Sequence, residues 1–228
     1  MIKQAYFIFK NISSEDYMMV NKLPPIIKAT KDIEKLEVEA RDGFLTYDKG
    51  TYRSTIKNVE CTIMDLENLD FICLWLDGSD DVIFSNEPDR IYRATIINQI
   101  PLEKIAATFH TLLIQFECQP HKYSINDDII TLTNPGTIFN SGSVFSKPII
   151  KLYGTGSITL TVNGLNVYLT NVSEYVTIDS NLEDAFKDSI YKNDDMKGLP
   201  PVLQVGQNII SWSGTVTKLE IQPNMRWL

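Results

Sequence analysis

The chain has 228 residues, and its apolar fraction of 43% and charged fraction of 22% are typical of a folded globular protein and exclude a disordered one. The formal net charge of −8 opposes the clustered phosphate contacts of nucleic-acid binding, so we expect no specific nucleic-acid partner. No apolar run approaches the ~20 residues of a membrane span. Met1–Lys10 does not fit a secretion signal, because its apolar stretch Ala5–Phe9 is too short and ends at Lys10.

Period-two patterns of apolar, β-branched and aromatic residues predict strands through most of the first half. In Thr111–Cys118 every second residue is apolar on one face, which predicts a half-buried strand. The other predicted strands are Tyr6–Phe9, Tyr17–Val20, Tyr52–Met64, Asp81–Ser85 and Ile91–Asn98.

The segment Thr30–Gly50 predicts a hairpin with a thin apolar face. Leu36 and Val38 alternate with charged residues before the turn at Arg41–Gly43. Such a ribbon is marginal alone, so it either packs on its own domain, which the pattern favours, or adds to a neighbouring subunit.

Helical spacing occurs between Asp65 and Gly78. Asp65 is placed to cap the start and Gly78 lies just beyond the end. The apolar stripe consists of Leu66, Leu69, Ile72, Cys73 and Leu76. A second helical turn is predicted at Ser180, because Ser180 and Glu183 have the spacing of a capping box.

The three cysteines, Cys61, Cys73 and Cys118, are widely spaced in apolar surroundings, so we expect all of them to be buried, reduced thiols. The two histidines, His110 and His121, have no third ligand at a suitable spacing, and no nucleophile motif is present. Paired carboxylates fit solvated turns. We therefore predict a protein that is not an enzyme and needs no metal or cofactor.

In the second half, Asn163–Gly164 predicts a type I′ hairpin turn that pairs Val162 with Leu165. Gly154–Gly156 predicts a tight turn between strands. The polar segment Gln119–Pro148 predicts an interdomain passage, with a boundary near Asn134. The expected fold is mainly β: residues 1–133 form a β sandwich or barrel with one helix and a projecting hairpin, and residues 134–228 form a β sandwich.

Several short motifs, in this order along nearly the whole chain, resemble the distal tail (Dit) proteins of long-tailed phages and prophages of Gram-positive hosts. In the first half these are Ser13–Asp16, Arg41–Gly43, Leu76–Gly78, Tyr92–Ala94 and Phe116–Pro120. In the second half they are Lys147–Lys151, Gly154–Gly156, Ile178–Ser180, Gly206–Asn208 and Arg226–Trp227. The second half lacks the large insertion that some relatives carry as a carbohydrate-binding module.

The resemblance implies a virion structural protein, synthesised and assembled in the host cytoplasm and located at the tail tip. It implies a baseplate hub in which a homo-hexameric ring joins the tail tube protein to the tail-associated tip or lysin protein and to receptor-binding proteins, while DNA passes through the lumen. Residues 31–49 would form a belt around a neighbour, and residues 134–228 a galectin-like sandwich. The implied belt residues are Leu36, Val38, Arg41, Asp42, Gly43 and Tyr47.

The alternative is a carbohydrate-binding module that recognises a host cell-wall saccharide. Its candidate platform is Trp212 or Trp227. The pattern favours a structural role instead, with Trp212 in a core strand and Trp227 closing the end of the domain, because buried aromatic residues dominate sandwich cores.

Overall fold

The computed structural model describes residues 4–63, 67–99, 103–104 and 110–228. The chain divides into two compact units: an N-terminal unit, Met1–Lys122 with Leu228, and a C-terminal unit, Tyr123–Trp227. The predicted boundary near Asn134 lies later than this division. The difference arises because Ile130–Leu132, within the expected interdomain passage, pairs with a strand of the C-terminal sheet.

Strands make up most of the N-terminal unit, as expected of a mainly β chain. They are β1 (Phe7–Phe9), β2 (Ile12–Ser13), β3 (Met19–Lys22), β4 (Lys31–Glu37), β5 (Phe44–Tyr52), β6 (Thr55–Ile63), β7 (Ser79–Phe84), β8 (Arg90–Ile96), β9 (Glu103–Lys104) and β10 (His110–Ser124). A sheet of order β2-β1-β7-β8-β10-β6-β3 forms the body, with β9 paired to β10. The pair β4-β5 is a separate two-stranded sheet.

Four phenylalanines form the centre of the N-terminal core. Phe7, Phe9 and Phe84 each contact Phe116 edge to face, with ring centroids 5.5, 5.5 and 5.7 Å away. Edge-to-face contacts of this kind stabilise a core beyond the area they bury. Phe116 belongs to the alternating segment Thr111–Cys118, whose apolar face is buried, so the predicted half-buried strand is confirmed.

One α-helix lies within the described residues, α1 (Leu69–Trp75), and it packs on this core. The proposed cap Asp65 lies outside the described residues. Ile72 and Leu76 are buried as expected, but Cys73 is exposed. Trp75 is buried instead, because its ring stacks on Phe7 with centroids 5.6 Å apart and its indole N–H donates to the Phe9 carbonyl at 2.8 Å.

The C-terminal unit is built on one nine-stranded sheet. Its strands are β11 (Ile130–Leu132), β12 (Gly136–Asn140), β13 (Ile149–Val162), β14 (Leu165–Val172), β15 (Tyr175–Asp179), β16 (Asp184–Lys187), β17 (Ile190–Tyr191), β18 (Met196–Lys197) and β19 (Gly206–Gln222). The main order is β11-β19-β13-β15-β16-β17, with β12 on β19 and β14 between β13 and β18. The last strand of the chain is β20 (Arg226–Trp227).

The Asn163–Gly164 hairpin has the predicted register. Val162 lies opposite Leu165, and both turn residues have positive φ, 51° and 83°. This is the backbone that a type I′ turn requires. Val162 is buried in the C-terminal core, whereas Leu165, nearest the turn, stays 72% exposed.

Gly154–Gly156 is not a turn between strands. It lies inside the continuous strand β13, at two register shifts against β19. A Cβ at Gly154 would lie 2.3 Å from the carbonyl oxygen of Thr215, so the two backbones approach closer than any side chain permits. The glycines therefore allow a long strand to bend without being interrupted.

The helical turn predicted at Ser180 is wrong. The carboxylate of Asp179 accepts hydrogen bonds from the backbone N–H groups of Asn181 and Leu182, at 2.8 and 3.0 Å. Glu183 has φ of 63°, which a capping box at a helix start excludes. The segment is therefore a turn from β15 to β16, because the aspartate side chain offers the backbone a local alternative to a helix.

Candidate functional site: an exposed arm

The hairpin β4-β5, called here the arm, has one apolar face. Leu36 lies opposite Leu45, and Glu34 lies opposite Tyr47, so Leu36, Leu45 and Tyr47 point to the same side. Val38, just beyond β4, adds a further aliphatic side chain. Because opposite residues of an antiparallel pair share a face, these side chains form one row, which ends at Glu34.

The apolar face of the arm is exposed. Leu36, Val38, Leu45 and Tyr47 retain 46, 43, 42 and 59% of their accessible surface. No residue from Glu34 to Thr51 is buried. The expectation that the arm packs on its own domain is therefore wrong, and the arm projects with a face that its own unit leaves open.

The opposite face of the arm is more polar. It carries Lys35 opposite Thr46 and Glu37 opposite Phe44. The ammonium of Lys35 lies 4.5 Å from the centroid of the Phe44 ring, so that ring already has a cation–π partner. The two faces of the arm thus differ in chemistry, and only the face with Leu36 and Leu45 offers a continuous apolar surface.

Ion pairs define the root of the arm. Arg53 contacts Asp32 at 2.7 Å and Lys31 contacts Asp48 at 2.5 Å. The hydrogen bond from Lys31, followed by that from the Gly50 N–H, holds the pKa of the Asp48 carboxyl below its usual value. Pairs this exposed add little stability, so their effect is to orient the strands where they leave the body.

The tip of the arm is a turn that carries a cation, Arg41. Gly43 has φ of 82°, and the Arg41 N–H donates to the Val38 carbonyl at 3.2 Å. Within the part of the chain that the structure describes, no carboxylate forms an ion pair with Arg41. Its guanidinium, together with Asp42, is therefore available to a partner.

A buried charged cluster supports the segment that leads into the arm. Lys122 contacts Glu87 at 2.7 Å, and the phenol of Tyr92 donates to the same carboxylate. Lys57 is 4% exposed, lies 4.6 Å from the Tyr92 ring centroid and donates to the Pro25 carbonyl at 3.5 Å. Burial lowers the pKa of Lys57. The predicted sites did not include this cluster. Its signal in the sequence is that Lys57 is in phase with the buried Val59 and Cys61.

The candidate saccharide residues lie on separate strands. Trp212 is in β19 opposite Leu160, is half-buried and packs against the C-terminal core. Trp227 is in β20 and is also half-buried. Both placements are compatible with structural roles, and the saccharide platform stays a prediction.

The structure places the two histidines beside different neighbours. His110 is half-buried opposite Ile63, and the ring of His121 contacts that of Tyr52 at 5.9 Å between centroids. No group of three or more His, Cys, Asp or Glu side chains in the described ranges could hold a metal ion. The same ranges contain no helix long and apolar enough to cross a membrane.

A solved structure shares this architecture. The chain superposes on SPP1 Dit (gp 19.1), described as a paradigm of the hub adsorption apparatus in phages that infect Gram-positive bacteria, with a TM-score of 0.74. The match covers 99% of this chain and 100% of that one, at 14% sequence identity. The chain has the Dit fold. No family model and no curated protein matches the sequence.

Proposed function

We propose that this chain is a structural component of a phage tail tip. In this proposal six copies form a ring, and the arm of each copy clasps the next. The observation that carries the proposal is the exposed apolar face of the arm in a chain with the Dit fold. A non-enzymatic role follows from the same proposal.

The arm requires a partner for energetic reasons. A two-stranded ribbon is marginal in water, and the apolar face of this one has no cover from its own unit. Full burial of an aliphatic or aromatic side chain contributes ~1.5–3 kcal/mol, so covering these half-exposed side chains contributes about 1 kcal/mol each. The summed contribution of Leu36, Val38, Leu45 and Tyr47 is enough to bias assembly once it is repeated around a ring.

In this proposal the arm of one copy contacts a different surface on the next copy, and a ring is the closed assembly that such a contact can form. An arm that binds a different surface on the next copy makes a head-to-tail interface, and such interfaces close into rings when the rotation permits. In a closed ring every arm is covered. The same closure leaves no exposed ribbon edge to pair with stray chains.

The remaining parts of the proposal concern the position of the ring. We place it at the virion tail tip, after assembly in the cytoplasm of the host, between the tail tube protein and the tip, lysin or receptor-binding proteins. DNA would pass through its lumen. The net charge of −8 per copy suits that passage, because it disfavours retention of phosphate groups.

Sedimentation velocity of the full chain, combined with negative-stain microscopy, tests the proposal. We expect a six-fold ring with a central pore, formed by the chain alone or on addition of tail-tube or tip components. Deletion of Lys31–Lys49 should leave folded monomers. A chain that stays monomeric at high concentration and with those components present contradicts the proposal, and a deletion variant that still forms hexamers shows that the arm is not the clasp.

A further inference from the structure

The C-terminal unit contains a cleft that the assembly proposal does not use. It has a volume of about 400 Å³ and lies between the end of β14, the start of β15 and the segment from Lys187 to Asp195. Small-molecule sites in proteins begin at about 300 Å³, so the cleft can enclose a small ligand. All of its walls come from one compact unit.

The floor of the cleft is apolar. Leu169, Val172 and Val176 line it and are only 2, 8 and 4% exposed. Ile190 lines it too but is 66% exposed. Buried aliphatic side chains below an exposed one form a surface that a ligand with an apolar side can cover.

The rim of the cleft is polar and fixed. The phenol of Tyr175 donates to Asp188, the Asn171 amide donates to Asp195 at 2.8 Å, and Lys192 contacts Asp195 at 3.2 Å. The hydrogen bond from Asn171, followed by that from Lys192, lowers the pKa of Asp195. The polar groups are therefore held in place before any ligand arrives, which reduces the entropy cost of binding.

The side chains that line the cleft carry two positive and two negative charges, and Glu174 beside the lining adds one negative charge. Two lysines, Lys187 and Lys192, line the cleft together with two aspartates, Asp188 and Asp195. Lys187 also contacts Glu174 at 2.7 Å. An ionic ligand would gain little net Coulomb energy here and would lose its hydration, whereas an uncharged ligand avoids that cost.

The backbone around the cleft adopts uncommon conformations. Asn171, Glu174 and Asp188 have φ of 53°, 65° and 53°. Asn and Asp tolerate the left-handed region, but Glu174 is a less usual occupant. These residues set the direction of the two turns that flank the Tyr175 side chain. Local backbone strain of this type is concentrated at ligand sites.

We propose that this cleft binds one uncharged, hydroxyl-rich ring, the chemical class of a neutral saccharide unit. The ring carbons would cover Leu169, Val172 and Ile190, while the hydroxyl groups would exchange hydrogen bonds with Asn171 and Asp188. The site differs from the platform predicted at Trp212 or Trp227. The cleft belongs to the C-terminal unit and the arm to the N-terminal unit, and sugar binding is measured separately from ring formation, so each proposal can fail without the other.

Methyl-detected NMR of the full chain tests the proposal, because Leu169, Val172, Val176 and Ile190 report from inside the cleft. The probes are D-glucose and N-acetyl-D-glucosamine, with D-glucuronate, glycerol and N-acetyl-leucine amide as comparisons. We expect saturable shifts confined to those methyl groups with a neutral sugar, and a dissociation constant on the order of 1 mM, as for a single small ring. Glucuronate and glycerol should bind at least several-fold more weakly.

Two variants and one control complete the test. Tyr175→Ala should weaken sugar binding at least tenfold, while Tyr191→Ala, which alters an exposed tyrosine outside the cleft lining, should not. Ser173→Trp changes an exposed lining residue and should block the cleft without unfolding the protein. The proposal is overturned if no neutral sugar gives saturable shifts, if only N-acetyl-leucine amide does, or if Ser173→Trp leaves sugar binding unchanged.

Discussion

Leu36 and Leu45 lie opposite each other across the two strands of the arm, yet they remain 46 and 42% exposed. A cross-strand leucine pair is normally a core contact, and here it stabilises a ribbon without shielding either side chain from water. The pair therefore forms an apolar surface that its own unit leaves open.

This one-sidedness can be tested with two adjacent residues. Leu45→Asp places a charge on the apolar face, whereas Thr46→Asp places the same charge on the opposite, polar face. We expect Leu45→Asp to abolish ring formation in sedimentation velocity and Thr46→Asp to preserve it, because an unpaired carboxylate is costly to bury. Equal loss of assembly in both variants would mean that the arm does not bind through the face with Leu36.

Arg41 at the tip should contribute to assembly through its planar fork. Arg41→Ala is expected to weaken the interface by ~2–5 kcal/mol if the guanidinium is buried against a carboxylate of the next copy, and by less than about 1 kcal/mol at a rim. Arg41→Lys keeps the charge but loses the bidentate geometry. It should therefore weaken the interface less than Arg41→Ala does. These differences are measured by diluting the ring and monitoring its dissociation by light scattering. If Arg41→Ala dissociates like the wild type, the tip of the arm is not part of the interface.

Gly154 should be essential to the C-terminal unit. Gly154→Ala forces a Cβ to within 2.3 Å of the Thr215 carbonyl oxygen, so β13 and β19 must separate. We expect the free energy of unfolding in urea to fall by about 2 kcal/mol or more. Gly136→Ala is the matched control, since its Cβ would meet its nearest neighbours at 3.6 and 3.7 Å, and its stability should change by less than about 1 kcal/mol. Similar losses in the two variants would contradict the close approach.

The three thiols should differ in reactivity. Cys73 is exposed on α1, whereas burial raises the pKa of Cys61 and of Cys118 to about 12. At pH 8 a disulfide reagent should titrate one thiol per native chain and three in guanidinium, and Cys73→Ser should reduce the native value to zero. Reaction of more than one thiol in the native chain would show that the core is accessible.

The two buried thiols, Cys61 and Cys118, give a pH dependence with a definite sign. Their folded pKa of about 12 exceeds the ordinary value of 9.0, so their contribution to stability is complete below pH 9 and is lost as the pH rises towards 12. The full difference corresponds to roughly 4 kcal/mol per thiol. Urea unfolding of wild type and Cys61→Ala between pH 8 and 11 should give a shallower decline in the variant, and parallel curves would contradict this origin.

Local chemistry let the sequence alone determine several elements. The Asn163–Gly164 turn determined the register of its hairpin, because two consecutive positive φ angles specify a two-residue type I′ turn. The alternation in Thr111–Cys118 identified the buried face of β10. The ordered motifs also pointed to the Dit fold that the superposition on SPP1 Dit later established.

Only the tertiary structure decided which surfaces stay open and which backbones meet. Nothing local distinguishes Cys73 from a core thiol, because its exposure depends on how α1 is rotated once Trp75 stacks on Phe7. The bend at Gly154 depends on Thr215, far along the chain. The open face of the arm and the cleft beside Tyr175 likewise depend on which elements pack against them and which do not, and that is set by long-range contacts rather than by sequence period.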